Sequence, residues 1–462
     1  MNEILSCVSP IDGKVYAERE FADSVAVNQI ARAQKAQHCW AARPLAERIE
    51  IVRRGTEELC AQSEEAVPEL AWMMGRPVRY GGEFGGVMER ASYMADIAES
   101  ALSPIVAEES AQFSRRIVRE AAGVVLVVSP WNYPYLTAIN TVAPALIAGN
   151  AVILKPSAQT PVAGERIARA YVAAGVPDDV MQNLFLSRAA TLSLIAKGVF
   201  DFVNFTGSTE GGRAVAKAAA DSFSGIGLEL GGKDPAYVME DADVESAAAD
   251  IMDAAFFNSG QCCCGIERAY VAESRFDSFV EKACEIAYSH ALGNPLEKET
   301  TLGPMAARRF ADGARAQLAN AESCGAKLLI DKNKFADDDG AYFAPQIAID
   351  VTHEMELMRE ENFAPIIGIM PVANDDEAAD LMNASDYGLT ASLWTRDAER
   401  AAAVGAKLQT GTVFMNRADY LDPALCWSGR KNTGRGASLS ALGYYNLTRT
   451  KSYHLKKKGA EA

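Results

Sequence analysis

At 462 residues the chain is too long for one compact core, and two or three domains are expected. A composition 49% hydrophobic and 23% charged is ordinary for a globular protein and excludes a chain kept disordered by polar bias. The net charge of −16 argues against a nucleic-acid partner, whose phosphate backbone needs concentrated Lys and Arg, although a nucleotide cofactor needs only a few donors.

The first residues, MNEILSCVSPIDGKVY, have no basic start and no apolar core of signal-peptide length. No apolar run approaches the roughly 18 residues of a spanning helix, so no membrane partner is expected. Nine cysteines, an odd number with three adjacent (Cys262, Cys263, Cys264), suit a reducing compartment, and a soluble, cytoplasmic protein is expected. The four histidines (His38, His290, His353, His454) are scattered and no C-x-x-C pair occurs, so no metal site is expected.

Residues 1 to about 110 read as mainly helical; in LAERIEIVRRGTEEL, Ile49, Val52 and Leu59 share one helical face. The texture then changes. GVVLVVSP (123–130), NAVILKP (150–156) and DFVNFTG (201–207) are short β-rich runs, each closed by Pro or Gly. Between them TPVAGERIARAYVAAG reads as a helix with Thr160 at the N-cap, Pro161 in the first turn and Gly175 as the stop. The alternation continues, with strands in GLELGGKDPAYVM, IERAYVAES, APIIGIMPV and GTVFMNR and a helix in RFDSFVEKACEIAYSHALG. The tail TRTKSYHLKKKGAEA offers one more strand, which needs a partner in its own sheet or a neighbouring subunit.

Strands alternating with helices imply parallel βαβ units, with ligands at the carboxyl ends of the strands. That rule places Ser129, Trp131 and Asn132, Lys155 and Ser157, and Thr206, Gly207 and Ser208 along one rim.

Four segments could carry chemistry. The triplet Cys262–Cys263–Cys264 is either three buried core thiols or a nucleophile with neighbours, because reactivity depends on a lowered thiol pKa. Glu229 stands in the apolar strand GLELGGKDP, just ahead of Gly231 and Gly232. A carboxylate there is either a satisfied core anomaly or a general base whose pKa burial raises towards neutrality, and the glycines permit close approach of backbone or ligand. Asn132, between the prolines of SPWNYP, is a turn residue or an amide donor to a developing oxyanion. The strand–turn–helix of DFVNFTGSTEGGRAVAKAAA presents free amides that suit a pyrophosphate, although no G-x-G-x-x-G is present.

Together these segments resemble the aldehyde dehydrogenase family, over nearly the whole chain. GQCCCGIER is similar to the family's G-Q-x-C-x-x-x-x-R motif, which implies Cys263 as nucleophile. LELGGK resembles the general-base motif and implies Glu229, and the separation of 34 residues (263 − 229) agrees with the family's usual spacing. SPWNYP resembles the oxyanion segment with Asn132, ILKPS the ribose-binding strand end with Lys155, and FTGST the pyrophosphate turn with Gly207 and Ser208. EENFAP resembles the E-x-F-G-P motif, whose Glu361 and Phe363 would hold the nicotinamide ribose and ring. SGRKNTGRG resembles the C-terminal loop that closes the site.

The resemblance implies an α/β fold with a Rossmann-like cofactor domain (1–110 and 123–230), an α/β catalytic domain (231–440) and a small β oligomerisation element (111–122 and 446–457) that joins subunits into homodimers or homotetramers. It implies oxidation of an aldehyde with NAD or NADP through a Cys263 thioester hydrolysed by water that Glu229 activates. Ser129, Trp131, Lys155, Ser157, Gly207, Ser208, Gly231, Glu361 and Phe363 would contact the cofactor. Transfer of the thioester to CoA, or a binding protein without activity, are the alternatives. Three departures matter. Ala364 replaces the motif's Gly, Gly436 stands where many members carry a second Glu, and Ala158 stands where NAD-preferring members often carry a Glu that would repel a 2′-phosphate. For the substrate, Tyr133, Tyr135, Phe257 and Cys264 are expected in an entry tunnel closed by residues 415–427. There Tyr420 and Trp427 favour an apolar aldehyde, Asp419 and Asp422 an amino-aldehyde and Arg417 an acid semialdehyde.

Overall fold

A computed structural model describes residues 4–335, 339–418 and 420–457. The first parallel sheet centres on Val124–Val128, five apolar residues buried throughout. Its strand order is Gly434–Arg435, Gly225–Glu229, Phe202–Thr206, Val124–Val128, Ala151–Lys155 and Met181–Asn183, all parallel except the Gly434–Arg435 edge. Continuous apolar runs such as VVLVV and AVIL are what strands covered on both faces require. The chain leaves Val124–Val128 towards Ala151–Lys155 on one side and returns to Phe202–Thr206 on the other. Such a reversal opens a crevice beyond the carboxyl ends of the strands.

Helices pack over this sheet, among them Ala26–Ala41, Pro134–Ala148 and Pro161–Ala173. The N-terminal helices dock through buried donors. Trp40 Nε1 donates to the Leu146 carbonyl at 2.9 Å, and Arg48 Nε donates to that of Ile147 at 2.9 Å. Those two carbonyls lie in the last turn of Pro134–Ala148, where the i+4 backbone donors run out, although Gly149 N–H also donates to the Leu146 carbonyl at 3.0 Å.

The second sheet runs Lys327–Leu328, Gln346–Ile349, Ile366–Val372, Ile266–Ala272, Asp234–Val238, Thr390–Trp394 and Thr412–Met415, and only Lys327–Leu328 is antiparallel. A third, antiparallel sheet joins Thr448–Lys456, Phe113–Ala121 and Ile105–Glu109. The tail strand therefore pairs within its own chain, in unbroken register from Thr448 against Ala121 to Lys456 against Phe113.

The N-terminal segment is mainly helical, as expected, with two additions: Ile4–Val8 and Val15–Glu20 form a hairpin, and Ile105–Glu109 is a strand. Both runs are half-exposed and too short for periodicity to identify. Thr160 occupies the N-cap of Pro161–Ala173, but its hydroxyl caps nothing and is buried without a partner among the described residues. Thr448–Lys456 pairs with Phe113–Ala121, far away in sequence, as the family resemblance implied when it grouped 111–122 with 446–457 in one β element.

Candidate active site

The crevice at the strand ends is a cavity of about 750 Å³. Ser129, Trp131 and Asn132 reach it from the end of Val124–Val128, Lys155 and Ser157 from that of Ala151–Lys155, and Gly207 and Ser208 from that of Phe202–Thr206. Glu229, Gly231, Cys263, Glu361 and Phe363 complete the same wall. All twelve residues singled out in the sequence thus meet in one cavity. Ser129 N–H donates to the Lys155 carbonyl at 3.1 Å and ties two of the strand ends together.

Several features suit a dinucleotide. Ser208 caps Thr209–Ala218, its Oγ accepting from Gly211 N–H, so that the positive end of the helix dipole faces the cavity. The Lys155 ammonium touches only the Pro156 carbonyl, at 3.4 Å, and burial pulls its pKa down. The charge of Asp23 works against that fall, and ribose or phosphate oxygens would relieve the remaining desolvation. Trp131 stacks on Phe310 at 5.1 Å and meets Phe363 edge-on at 5.6 Å, forming an aromatic wall.

Cys263 follows a strained turn. Asn258, Ser259 and Gly260 all hold positive φ, at 54°, 56° and 71°. Asn tolerates this region and Gly occupies it freely; Ser259 is held there by donating to the Gly303 carbonyl at 2.8 Å. A Cβ on Gly260 would lie 2.2 Å from the backbone of Ala364. Cys262 and Cys264 are buried with their sulfurs 3.6 Å apart, while Cys263 is half-buried and lines the cavity. None of the nine cysteines is in a disulfide. The Cys262 thiol is pushed up to about 12, first by its hydrogen bond with Cys263 and also by burial, which keeps it a neutral neighbour.

Asn132 is held from both ends of its residue. Its Nδ2 donates to the Gln261 carbonyl at 3.1 Å, which leaves the second amide hydrogen available, and its own carbonyl accepts from Arg76. Arg76 is a group that sequence reasoning missed. It is buried, pairs with Glu83 at 2.9 Å, and stacks over the Tyr133 ring at 4.5 Å. Glu83 in turn accepts from the backbone N–H of Tyr135 at 3.0 Å and of Leu136 at 2.6 Å, at the start of Pro134–Ala148. Burial raises the Glu83 pKa, and Arg76 and these N–H donors work against that rise. No local signal in GRPVRYGGEFGG marks the pair, because its purpose appears only when SPWNYP folds onto it.

Glu229 ends the strand Gly225–Glu229 with its carboxyl accepting from Ser438 Oγ at 2.7 Å and Thr206 Oγ1 at 3.2 Å. Burial raises its pKa, and those two hydroxyls and the charge of Arg90 moderate the rise. Ser438 arrives because Gly434–Arg435 pairs antiparallel with Gly225–Glu229. Gly434 is required there, since at φ 125° a Cβ would fall 1.9 Å from the Leu228 carbonyl. The C-terminal segment therefore brings Glu229 a hydroxyl, in a region where Gly436 has no side chain to offer.

The glycines of LELGGK now have a cause. A Cβ on Gly231 would lie 2.3 Å from the Glu361 carboxylate, and one on Gly232 would lie 2.6 Å from the Cys263 carbonyl. Gly232 N–H donates to Glu361 at 3.0 Å. Burial, then the like charge of Glu267, push the Glu361 carboxyl up to about 8. Glu267, paired with buried Lys233, accepts from the backbone N–H groups of Asn362 and Phe363 and so fixes the loop. Neither member of that pair was singled out in the sequence.

Cys263 and Glu229 also line a second cavity, of about 200 Å³. Tyr133, Phe257, Cys264 and Trp427 line it, as expected, together with Arg90 and Asn140. Tyr135 does not: it is fully buried against Phe84, 5.0 Å away, because Pro134–Ala148 turns it into the core. Arg417 lines a separate surface cleft with Asp250 and Asp253 and stacks on Tyr420 at 3.6 Å, while Tyr420 donates to Glu89. Asp422 accepts from Ala424 N–H in a turn, and Asp419 lies outside the described residues. Arg417 and Asp422 thus do not line the cavity.

Residues 2–453 match the aldehyde dehydrogenase family. The chain is 34% identical over 457 residues to a vanillin dehydrogenase of Corynebacterium glutamicum, covering 94% of this chain and 90% of that protein. It is 31% identical over 446 residues to an NADP-linked succinate-semialdehyde dehydrogenase of Deinococcus radiodurans, covering 96% and 93%. Among solved structures, 3,6-anhydro-L-galactose dehydrogenase in complex with NAP superposes with a TM-score of 0.92 at 28% identity, over 98% of this chain and 96% of that one. Indole-3-acetaldehyde dehydrogenase with NAD+ superposes with a TM-score of 0.93 at 29% identity, over 98% and 94%. The chain belongs to the aldehyde dehydrogenase family and is an NAD- or NADP-linked oxidoreductase acting on aldehydes.

Proposed function

We propose that Cys263 is the nucleophile, Glu229 the general base and Asn132 the oxyanion donor of this oxidation. One observation carries the reading: Cys263 and Glu229 line both cavities, the one fitted to a dinucleotide and the small one behind it. Cys263 as thiolate attacks the aldehyde carbon, and the free amide hydrogen of Asn132, with the backbone N–H of Cys263, stabilises the resulting oxyanion. A bound nicotinamide supplies the hydride acceptor. Glu229, ionised, then takes a proton from the water that hydrolyses the Cys263 thioester to the carboxylic acid. Lys155, Ser157, Gly207, Ser208, Ser129, Trp131, Gly231, Glu361 and Phe363 hold the dinucleotide. Cys263→Ala is expected to abolish aldehyde-dependent cofactor reduction while the protein stays folded; turnover near that of the unaltered enzyme would refute the assignment. Glu229 favours hydrolysis over release to CoA, and an absolute requirement for CoA would reverse that choice.

NADP is expected to be accepted. Ala158 places no carboxylate against a 2′-phosphate, and Lys155 and Ser157 line the cavity beside it. Steady-state constants for both cofactors test this, and a kcat/KM for NAD exceeding that for NADP by about a thousandfold would overturn it.

The two parallel sheets correspond in this reading to the cofactor and catalytic domains. The three-stranded sheet, whose Ile105, Val106 and Leu455 are exposed, joins subunits into a homodimer or homotetramer. No helix among the described residues is long and apolar enough to cross a membrane. The unbonded thiols support a cytoplasmic setting.

A further inference from the structure

Both carboxyl oxygens of Glu229 accept a hydrogen bond, and the two bonds are unequal. Ser438 Oγ donates to Oε1 at 2.7 Å, whereas Thr206 Oγ1 donates to Oε2 at 3.2 Å, longer than is usual for a hydroxyl donor. The short bond to a buried carboxylate is of the strong, charge-assisted kind. The two donors also stand in different places. Thr206 lines both cavities together with Glu229 and Cys263, while Ser438, 5% exposed, is on the wall of neither.

Ser438 has little freedom. Its N–H donates to the Trp427 carbonyl at 3.0 Å, and its own carbonyl accepts from Trp427 N–H at 2.9 Å. A few residues upstream, Gly434 and Arg435 pair with Glu229 and Leu228, so the segment is fixed on the very strand that carries the carboxyl. On a backbone held in this way the hydroxyl has a few staggered positions, and the one adopted reaches Glu229.

A general base must be ionised and must turn one oxygen towards the water it activates. Burial opposes the first requirement by raising the Glu229 pKa. The Ser438 hydroxyl is the strongest influence holding it down, ahead of Thr206 and of the charge of Arg90. Arg90, Tyr133 and the thiols of Cys262, Cys263 and Cys264 share the small cavity's wall with Glu229. Lys155, Arg309, Glu356 and Glu361 share the large one. All of these stay in place when Ser438 alone is changed, so an altered pH dependence then reads the hydroxyl.

We infer that Ser438 is a positioning residue for the general base: its hydroxyl holds Oε1 from outside the two cavities, favours the anion, and leaves Oε2 as the oxygen that takes the proton from water. That proton passes to Oε2 as the water oxygen joins the acyl carbon. The electrons of the carbon–sulfur bond then leave with Cys263 as thiolate, and Ser438 keeps its own proton throughout. This rests on Glu229 as the base, and the two fail differently. Unaltered hydrolysis in Glu229→Gln would sink the base itself, whereas the behaviour of Ser438→Ala bears on the positioning role.

The test follows reduced-cofactor absorbance with the full-length enzyme, in the first turnover and in the steady state, from about pH 5.5 to about pH 9.5. Ser438→Ala is expected to leave the first turnover at its unaltered rate. Its steady rate near neutrality should fall by about tenfold and its acid limb should move up by about one pH unit, so that the deficit shrinks as pH rises. Ser438→Thr, which keeps a hydroxyl, should leave the limb in place, and Thr206→Val should move it less than Ser438→Ala does. Should Ser438→Ala fail to fold, Ser438→Cys, whose thiol is a weak donor, is expected to move the limb in the same direction by less. An unmoved limb in either folded variant, a first turnover slowed as much as the steady rate, or a shift in Ser438→Thr equal to that in Ser438→Ala would overturn the inference.

Discussion

Glu229 shows how the setting of a residue decides its chemistry. Its carboxyl is desolvated, which raises its pKa, yet Ser438 and Thr206 each donate to it, which moderates that rise. Glu229→Gln is expected to leave thioester formation intact and to slow hydrolysis by about a hundredfold or more, giving a burst of reduced cofactor with little steady rate. In the unaltered enzyme the steady rate should fall as pH drops through the raised Glu229 pKa, because the base is then protonated; the variant should lack that acid limb. Stability runs the other way. The folded state binds this proton more tightly than the unfolded chain, so the carboxyl's contribution declines as pH rises above its unfolded value towards the raised folded one. Stopped-flow cofactor absorbance across pH checks the kinetic part. Cys263, Glu229 and Asn132 were legible as sequence because a thiol among thiols, a carboxylate in an apolar strand and an amide between prolines are each locally anomalous. Arg90 and Asn140 were not. An arginine in FGGVMERASYMADIAESAL reads as an ordinary solvated helix residue, and only burial shows otherwise.

At the level of elements, the site depends on turns held by partners far away in sequence. The segment carrying Asn132 is anchored by the buried Arg76–Glu83 pair, which also receives the first backbone N–H groups of Pro134–Ala148. Removing one member of such a pair leaves a desolvated charge, so Glu83→Ala is expected to cost about 3–5 kcal/mol of stability. Because Arg76 would no longer be oriented towards the Asn132 carbonyl, kcat should fall as well. Denaturant unfolding and steady-state kinetics on the same preparation check both effects, and a variant of unaltered stability would show the pair to be dispensable. Val124–Val128, Ala151–Lys155, Phe202–Thr206 and the helix Pro161–Ala173 were readable from their apolar runs and bounding Pro and Gly residues. The N-terminal hairpin and Ile105–Glu109 were not, since half-exposed strands carry little periodic signal and take their stability from pairing.

For the whole molecule, the three-stranded sheet carries exposed apolar side chains, Ile105, Val106 and Leu455, and open edges. A sheet of this kind invites continuation by another chain. Truncation after residue 447 would remove Thr448–Lys456, and with it the paired edge of Phe113–Ala121. Light scattering is expected to show a shift from oligomer to monomer, and an unchanged mass for a folded truncated protein would move the interface elsewhere.

The sequence by itself determined the family, the parallel strands of the cofactor crevice and the residues proposed as nucleophile, base and amide, because these lie in short segments whose residue types are locally constrained. Only the tertiary structure decided what surrounds them: Ser438 on Glu229, Arg76 on the Asn132 segment, Glu267 on the Phe363 loop, and Arg90 with Asn140 on the wall of the small cavity. Each of those is a contact between residues remote along the chain. Its energy comes from burial and from completed hydrogen bonds, quantities that have no value until the chain has folded.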